Sequence, residues 1–272
     1  MTSFHKKQPL VSIVTPSFNQ AEYLEETIRS VLAQDYPHIE YIVVDGGSTD
    51  GSVDIIREHE SGLSGWISET DMGQTDAINK GFAMATGDIL AWLNSDDTYL
   101  HGAVSKAVEF LTSNLHIGMV YGKAYYIDKK SEPVAHYPAA HTDYEGLRRG
   151  ITTIPQQTMF FRSTLWKMVG PLDSSFYYAM DYDLWTRIAA VSPIAFIPEF
   201  MANFRLHSAS KSLTEANRCW PEMMRVHFRD GGSRFSILYL KYLVRRVVEP
   251  IMPWRIKLKR VYFSLSRRLD KK

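Results

Sequence analysis

Cysteine is nearly missing from this chain: Cys219 is the only one in 272 residues. A lone thiol rules out an internal disulfide and fits a reducing compartment, with Cys219 read as a bystander rather than a nucleophile. No run of about twenty uncharged apolar residues occurs, which argues against a membrane-spanning helix. The first residues, Met1 to Pro9, are polar, and the first apolar run is too short for a signal peptide, so a cytoplasmic protein is expected. The glycine-rich phosphate loops are also missing. Neither Gly-x-Gly-x-x-Gly nor Gly-x-x-x-x-Gly-Lys-[Ser/Thr] follows the first apolar strand, so dinucleotide dehydrogenases and P-loop enzymes are poor candidates. There is no internal repeat and no low-complexity segment.

What is present has the rhythm of an α/β protein. The length permits one large α/β domain or two small ones. Leu10–Thr15, Tyr41–Val44, Gly65–Ser68 and Asp88–Leu93 read as strands, and Ala21–Ala33, Ser52–His59 and Thr75–Ala85 as the helices between them. This alternation predicts βαβ units and a largely parallel sheet. Beyond Asp97 the rhythm loosens. A helix is expected over Ala103–Leu111, a strand over Gly118–Gly122 and a hairpin between Ala124 and Tyr137. A polar loop should run from Pro138 to Pro155, followed by a strand over Gln156–Arg162. Helices over Ser163–Val169 and Asp181–Val191, and one or two strands within Pro193–Arg205, complete the body.

The chemistry-bearing residues gather where strands run out. Asn94-Ser95-Asp96-Asp97 closes the strand Asp88–Leu93. Adjacent carboxylates at the end of an apolar strand repel each other unless something positive neutralises them. Mg²⁺ or Mn²⁺ carrying a phosphorylated substrate would do so, since hard oxygens hold these cations while phosphates fill the remaining positions. Strand ends are also where α/β sheets bind ligands. A solvated Asp-rich turn capping the next helix accounts for the same residues.

The first strand ends in Thr15-Pro16-Ser17-Phe18-Asn19, where the proline breaks the ladder and Phe18 offers a flat surface for a base or sugar ring. An ordinary strand-to-helix turn capped by Asn19 is the plainer reading. The second strand ends in Asp45-Gly46-Gly47-Ser48-Thr49-Asp50-Gly51, with an acid at its last position, as at Asp96. Glu69 and Asp71 flank a loop that could touch a donor, with a solvated acidic turn the plainer reading, and Trp92, Trp166 and Trp185 read as core.

Taken in order, these segments, with Gly73 and Asn79-Lys80-Gly81, closely resemble the family 2 glycosyltransferases. Met180-Asp181-Tyr182-Asp183-Leu184-Trp185 is similar to that family's Glu-Asp-x-Asp-Leu-Trp segment, and Phe204-Arg205-Leu206-His207 to its Arg-x-His element. The resemblance spans roughly residues 9 to 212 and implies a GT-A fold, a Rossmann-like mixed, mostly parallel sheet flanked by helices. It also implies a nucleotide-sugar donor with a hexosyl or N-acetylhexosaminyl group.

Carried over by position, it makes Asp45 a contact of the donor's base, in a pocket lined by Thr15, Pro16 and Phe18. Asp96 would lie against ribose and metal, Asp97 would be the main protein ligand of Mg²⁺ or Mn²⁺, and His207 would complete the shell or contact the diphosphate. Asp181 would be the general base. Two departures stand out. Asn94 replaces an Asp common in relatives, and Met180 replaces the Glu beside the base, removing a like charge.

One carboxylate aimed at the acceptor hydroxyl suffices for a single in-line displacement with inversion. Asp181 also reads as the N-cap of its helix, and His207 as an exposed loop histidine. The expected acceptor is a growing polysaccharide or a lipid-linked glycan.

A sugar-phosphate nucleotidyltransferase is the rival enzyme reading. That class carries a Gly-rich, basic phosphate loop after the first strand, and Thr15 to Glu22 contains no Gly, Lys or Arg. A catalytically silent scaffold fits poorly with intact Asp96, Asp97 and Asp181.

The formal net charge is only +1, but it is unevenly placed. The catalytic body is expected over residues 1–230 and a basic amphipathic tail over 231–272, split by Pro250 and Pro253 into two helices. Arg245, Arg246, Lys257, Lys259, Arg260, Arg267 and Arg268, interleaved with Ile237, Leu240, Leu243 and Trp254, predict contact with an anionic membrane at its inner face. A helix packed on the body, or an oligomer contact, is the alternative. No recognition motif for nucleic acid accompanies the charge.

Overall fold

The computed structural model describes residues 8–207 and 216–248. The cations expected beyond Val248, and the division at Pro250 and Pro253, lie outside the described residues.

Three apolar strands carry the N-terminal half: β1 (Val11–Ser17), β2 (Ile39–Asp45) and β4 (Ile89–Trp92). They are apolar on both faces because helices cover both, so their side chains do not alternate with polar ones. With β3 (Gly65–Ser68) they form a parallel ladder in the order β3-β2-β1-β4. The ladder is closed by α1 (Ala21–Leu32), α2 (Ser52–Glu58) and α3 (Gln74–Met84).

The C-terminal half extends the sheet as β8 (Phe160–Arg162), β6 (Met119–Ile127), β9 (Ile194–Arg205) and β5 (Thr98–Tyr99), with β7 (Pro133–His136) paired to β6. Here β4–β8, β6–β8, β6–β7 and β5–β9 are antiparallel, while β6–β9 is parallel. The expected mixed, mostly parallel sheet is thus present. Its remaining helices are α4 (Ala103–Ser113), α5 (Tyr144–Arg148), α6 (Ser163–Val169), α7 (Met180–Val191), α8 (Ala216–Arg229) and α9 (Ile237–Val248).

Two clusters fill the space on the two faces. One gathers Val14, Trp92, Phe161, Leu184 and Trp185, and the other Ile13, Leu24, Ile28, Val104 and Leu111. Close approach is decided by glycine at one point: a Cβ on Gly81 of α3 would lie 2.3 Å from Val14 Cγ1 of β1. Any larger residue would push the helix off the sheet.

Differences from the sequence expectations are local. Gln156–Thr158 forms a 3₁₀ turn and only Phe160–Arg162 pairs as strand. Thr158 Oγ1 donates to the Pro155 carbonyl at 2.8 Å and accepts from the Gly122 amide at 3.0 Å, which pins the turn. The polar loop 138–155 contains the short helix α5, capped by Asp143, whose Oδ1 accepts from the Gly146 amide at 2.8 Å. Pro193–Arg205 yields one long strand, and Pro198 falls where its register against β6 shifts.

Glu40 stitches three segments together on the other side of the ladder. It accepts from Ser12 Oγ, and from the Thr86 amide and Thr86 Oγ1 at 2.7 Å each. Burial alone would raise its pKa, but these donors outweigh it and hold the carboxyl below its ordinary value. A depressed carboxyl contributes stability above the unfolded pKa and loses it as pH falls through the folded one. Glu40→Gln should therefore cost about 1 kcal/mol at neutral pH, the partial exposure discounting a full charged hydrogen bond. In urea titrations the gap to wild type should close as the pH is lowered below the unfolded carboxyl value.

Candidate active site

A cavity of about 800 Å³ opens at the carboxyl ends of β1 and β4, between α3 and the start of α7. Its size and position are those of a small-molecule site in an α/β sheet. Pro16, Phe18, Asp96 and Asp181 all stand on its wall. The structure thus brings together four positions that lie up to 165 residues apart in sequence.

Phe18 projects at the mouth with 59% of its surface exposed. The loops beneath it satisfy one another. Asp50 Oδ2 accepts from the Ala21 amide at 2.9 Å, so the loop after β2 caps α1, and Asn19 instead bonds the Thr49 amide through Oδ1. Asn19 is therefore not the cap.

Two expected donor contacts are not on the wall. Thr15 is buried within the sheet, its hydroxyl 3.0 Å from that of Tyr41. Asp45 is also fully buried and accepts from the amides of Gly47 and Ser48 and from Ser68 Oγ, at 2.7–3.0 Å. It holds the loop that presents Gly46 to the cavity. A Cβ there would meet Asp71 Oδ2 at 2.8 Å, so Gly46 lets the 69–74 loop close down. Asp71, expected as solvated, consequently stands on the cavity wall, while Glu69 pairs with Lys80 at 2.8 Å.

The acidic turn divides its labour. Asp96 faces the cavity, and its Oδ2 lies 3.0 Å from His207 Nε2. Asp97, expected as the main cation ligand, is absent from the wall and has no exposed surface. Its Oδ1 accepts from the Arg205 amide at 2.9 Å, and its Oδ2 from Gln157 Nε2 at 2.8 Å and Asn94 Nδ2 at 3.2 Å. Burial, then the charge of Asp96, pushes the Asp97 carboxyl well above the usual range, against the pull of these donors. The enclosed carboxylate ties together Asn94, Gln157 and the Arg205 backbone.

Beneath the turn sits Arg205, whose side chain is 1% exposed. Its Nε donates to the Asp96 carbonyl at 2.8 Å, one terminal nitrogen to Ser131 Oγ and the Asp128 carbonyl, and the other to Glu26 at 2.5 Å. It also lies over the Tyr23 ring at 4.7 Å, and that ring is 4.8 Å from His207.

Asp181 opens α7 without capping it. The cap position is Ala179, and Glu222 of α8 accepts from the amides of Tyr177, Tyr178 and Ala179 at 2.7–3.0 Å. Asp181 Oδ1 accepts from the Tyr182 amide at 2.7 Å, and the residue lies on the cavity wall. Nearby Cys219 has its thiol pushed up to about 12 by burial and by the Asp181 charge, so it stays protonated.

Among the described residues, the wall carries three carboxylates (Asp71, Asp96 and Asp181) and no Lys, Arg or His. An anionic diphosphate could enter such a site only with a cation to neutralise both. No cluster of three or more His, Cys, Asp or Glu among the described residues is arranged to hold a metal ion. Asp96 with His207 supplies two hard or borderline donors, which fits a cation completed by substrate phosphates and water.

Residues 12–170 match the profile of glycosyl transferase family 2, more than half of the chain. An uncharacterized glycosyltransferase of Mycobacterium tuberculosis is 32% identical over 247 residues, covering 86% of this chain and 90% of that protein. The chain belongs to glycosyl transferase family 2. Its fold is GT-A. The S. aureus TarS 1–349 structure in complex with UDP-GlcNAc superposes with a TM-score of 0.67 at 17% identity, covering 81% of this chain and 66% of that one. The mannosyltransferase PcManGT from Pyrobaculum calidifontis, in complex with GDP-Man and Mn²⁺, gives 0.63 at 22% identity over 87% of this chain and 70% of that one.

Family membership withdraws support from the nucleotidyltransferase and scaffold readings. Two features around the cavity leave little trace in the sequence. Arg205 was visible only as part of Arg-x-His, and its signal was a lone cation ending an apolar strand. The amides Gln74, Gln156 and Gln157 on the wall carried no signal, because isolated glutamines are common on surfaces. Trp92 and Trp185 are buried as expected, yet they also line the cavity. Arg205→Lys keeps the charge but loses the fork that reaches three segments. It should lower stability by about 2–4 kcal/mol in denaturant titrations and abolish transfer at temperatures where the variant is still folded.

Proposed function

We propose that this glycosyltransferase moves a hexosyl or N-acetylhexosaminyl group from a nucleotide-sugar donor to a hydroxyl acceptor, with inversion and with Mg²⁺ or Mn²⁺. The observation that carries the reading is one cavity with Asp96, backed by His207, and Asp181 on its wall, and without a cationic side chain among the described residues. Asp96 and His207 would hold the cation, which when bound would offset the charge that develops on the departing diphosphate. Asp97 and Arg205 fix the turn that aims Asp96.

Phe18 and Pro16 offer apolar surface at the mouth for the base. Asp181 would take the proton of the acceptor hydroxyl as its oxygen forms a bond to the anomeric carbon and the bond to phosphate breaks. A single displacement of this kind inverts that carbon. In this reading Thr15 and Asp45 shape the donor pocket from behind rather than touching the base, and Asp97 positions Asp96 rather than binding metal.

The acceptor is read as a growing polysaccharide or a lipid-linked glycan. Asp181→Asn should lower transfer by at least about 10³-fold while donor binding stays near wild type, the pattern of a lost general base. Asp96→Ala should instead remove Mn²⁺-dependent donor binding. Undiminished turnover in EDTA, or a product with retained anomeric configuration by NMR, would overturn the reading.

We also infer that the tail, read as 231–272 beyond a catalytic body of 1–230, rests on an anionic lipid surface at the cytoplasmic face. The helix α9 buries Leu238 against Gly150, yet leaves Ile237, Leu240 and Val244 exposed at 70%, 51% and 61%, with Lys241 and Arg246 on the same helix. No described helix is long and apolar enough to cross a membrane. An apolar stripe beside cations suits an interfacial helix. The full chain should co-sediment with vesicles containing phosphatidylglycerol and not with pure phosphatidylcholine. Ile237→Glu with Val244→Glu should abolish that binding without changing donor affinity.

A further inference from the structure

Four buried side-chain polar atoms among the described residues have no hydrogen-bond partner, and three of them belong to residues of this one cavity: Ser17 Oγ, Trp92 Nε1 and Gln157 Oε1. Orphaned polar atoms are costly inside a protein, and their concentration at one wall points to a ligand that answers them.

Gln157 is the most informative of the three. Its Nε2 is committed to Asp97 Oδ2 at 2.8 Å, which fixes the amide plane and leaves Oε1 a buried acceptor without a partner, on a residue of the cavity wall. Beside it runs a chain of neutral amides: Gln74 Nε2 donates to Asn94 Oδ1 at 2.7 Å, Asn94 Nδ2 to Gln156 Oε1 at 3.2 Å, and Gln156 Nε2 to the Trp92 carbonyl at 2.9 Å. All four amide residues stand on the wall.

Their place in the site follows from connectivity. Asp97, which holds the Gln157 amide, is the immediate neighbour of Asp96, where the diphosphate would be anchored through the cation. The sugar is bonded to that diphosphate, so groups one hydrogen bond from the acidic turn are those its ring would meet. The ring therefore faces amides and the three carboxylates of the wall, with no Lys, Arg or His among the described wall residues to balance an anionic sugar.

From this geometry we propose that the amide group Asn94, Gln156 and Gln157 is the donor-sugar subsite, that Gln157 Oε1 accepts a hydrogen bond from a sugar hydroxyl or acetamido N–H, and that the site takes uncharged sugars and rejects hexuronic acids. The inference rests on the nucleotide-sugar reading above and adds to it the residues that read the sugar. A hexuronate would bring a fourth negative group among Asp71, Asp96 and Asp181, with no cationic side chain among the described wall residues to balance it.

The test is calorimetric titration of the full chain in Mn²⁺ with UDP and GDP, with their neutral hexose and N-acetylhexosamine conjugates, and with UDP-glucuronic acid. At least one neutral conjugate should bind about tenfold or more tightly than its bare nucleotide, and UDP-glucuronic acid no more tightly than UDP. Gln157→Met, which keeps the length of the side chain but has no amide, should bring the affinity ratio of neutral conjugate to bare nucleotide down to about one, a ratio read within the variant so that any loss transmitted through Asp97 to both ligands cancels. Equal binding of glucuronic and neutral conjugates by the wild type overturns the inference without recourse to a variant, as does a folded Gln157→Met protein that keeps the full increment. Failure of every nucleotide to bind would refute the nucleotide-sugar reading itself, and the subsite with it.

Discussion

The Arg205 guanidinium is enclosed by protein, so each of its donors must find an acceptor there. The four acceptors come from three separate parts of the chain: Glu26 on α1, the Asp96 carbonyl after β4, and the Asp128 carbonyl with Ser131 in the β6–β7 hairpin. The Arg205 amide adds a fifth tie, to Asp97. A buried ion of this kind is weak evidence for high stability, since desolvation offsets much of its attraction. It is strong evidence for a fixed arrangement, because any displacement of one segment strands the charge. The turn that carries Asp96 is held by this set of contacts, and the orientation of the cavity wall depends on it.

The same logic explains why Asp97 looks like a ligand in sequence and is not placed like one. Two adjacent acids at a strand end predict mutual repulsion relieved by a cation, and that expectation treats the pair as equivalent. Asp96 and Asp97 sit in the turn between β4 and β5, where the Asp97 amide donates to the Asn94 carbonyl at 3.1 Å. One carboxylate faces the cavity and the other faces the interior, where Arg205, Gln157 and Asn94 donate to it. Asp45 behaves similarly, consumed by its own loop. Neither outcome could be read from residue spacing, because it turns on which partners the fold brings within about 3 Å.

The elements themselves were far more legible. Apolar runs bounded by glycine and acidic turns located β1, β2, β3 and β4 to within a few residues, and helical spacing located α1, α3 and α7. These segments are buried on two faces or one stripe, so composition alone constrains them. The segment 156–162 reads as a strand because Phe160, Phe161 and Thr158 favour one, whereas the Thr158 hydroxyl bonds to Pro155 and Gly122 and pins a turn. Asp181 reads either as helix cap or as catalytic base; in the fold the cap position falls to Ala179 and Asp181 stands on the cavity wall, while Glu222, 41 positions further along, holds the amides of the segment that leads into α7. Long-range polar pairings of this kind leave no periodic trace in a sequence.

The electrostatic character of the cavity follows from these placements. A wall with three carboxylates repels the anionic substrate it is proposed to bind, so positive charge must arrive with the substrate. In the proposed reading that requirement would make donor binding conditional on the cation and, with no basic residue among the described wall residues, would give discrimination by charge: a ligand bringing one more negative charge than the cation can neutralise would be excluded by Asp71, Asp96 and Asp181. Neutral amides are then the groups left to read the sugar, since a lysine or arginine in their place would bind diphosphate directly and remove the dependence on metal. The substitution of Asn94 for an acid belongs to the same pattern. A fourth carboxylate at that position would face Asp97 across the 3.2 Å now bridged by an amide donor, and the buried Asp97 would lose one of the three contacts that make its burial tolerable.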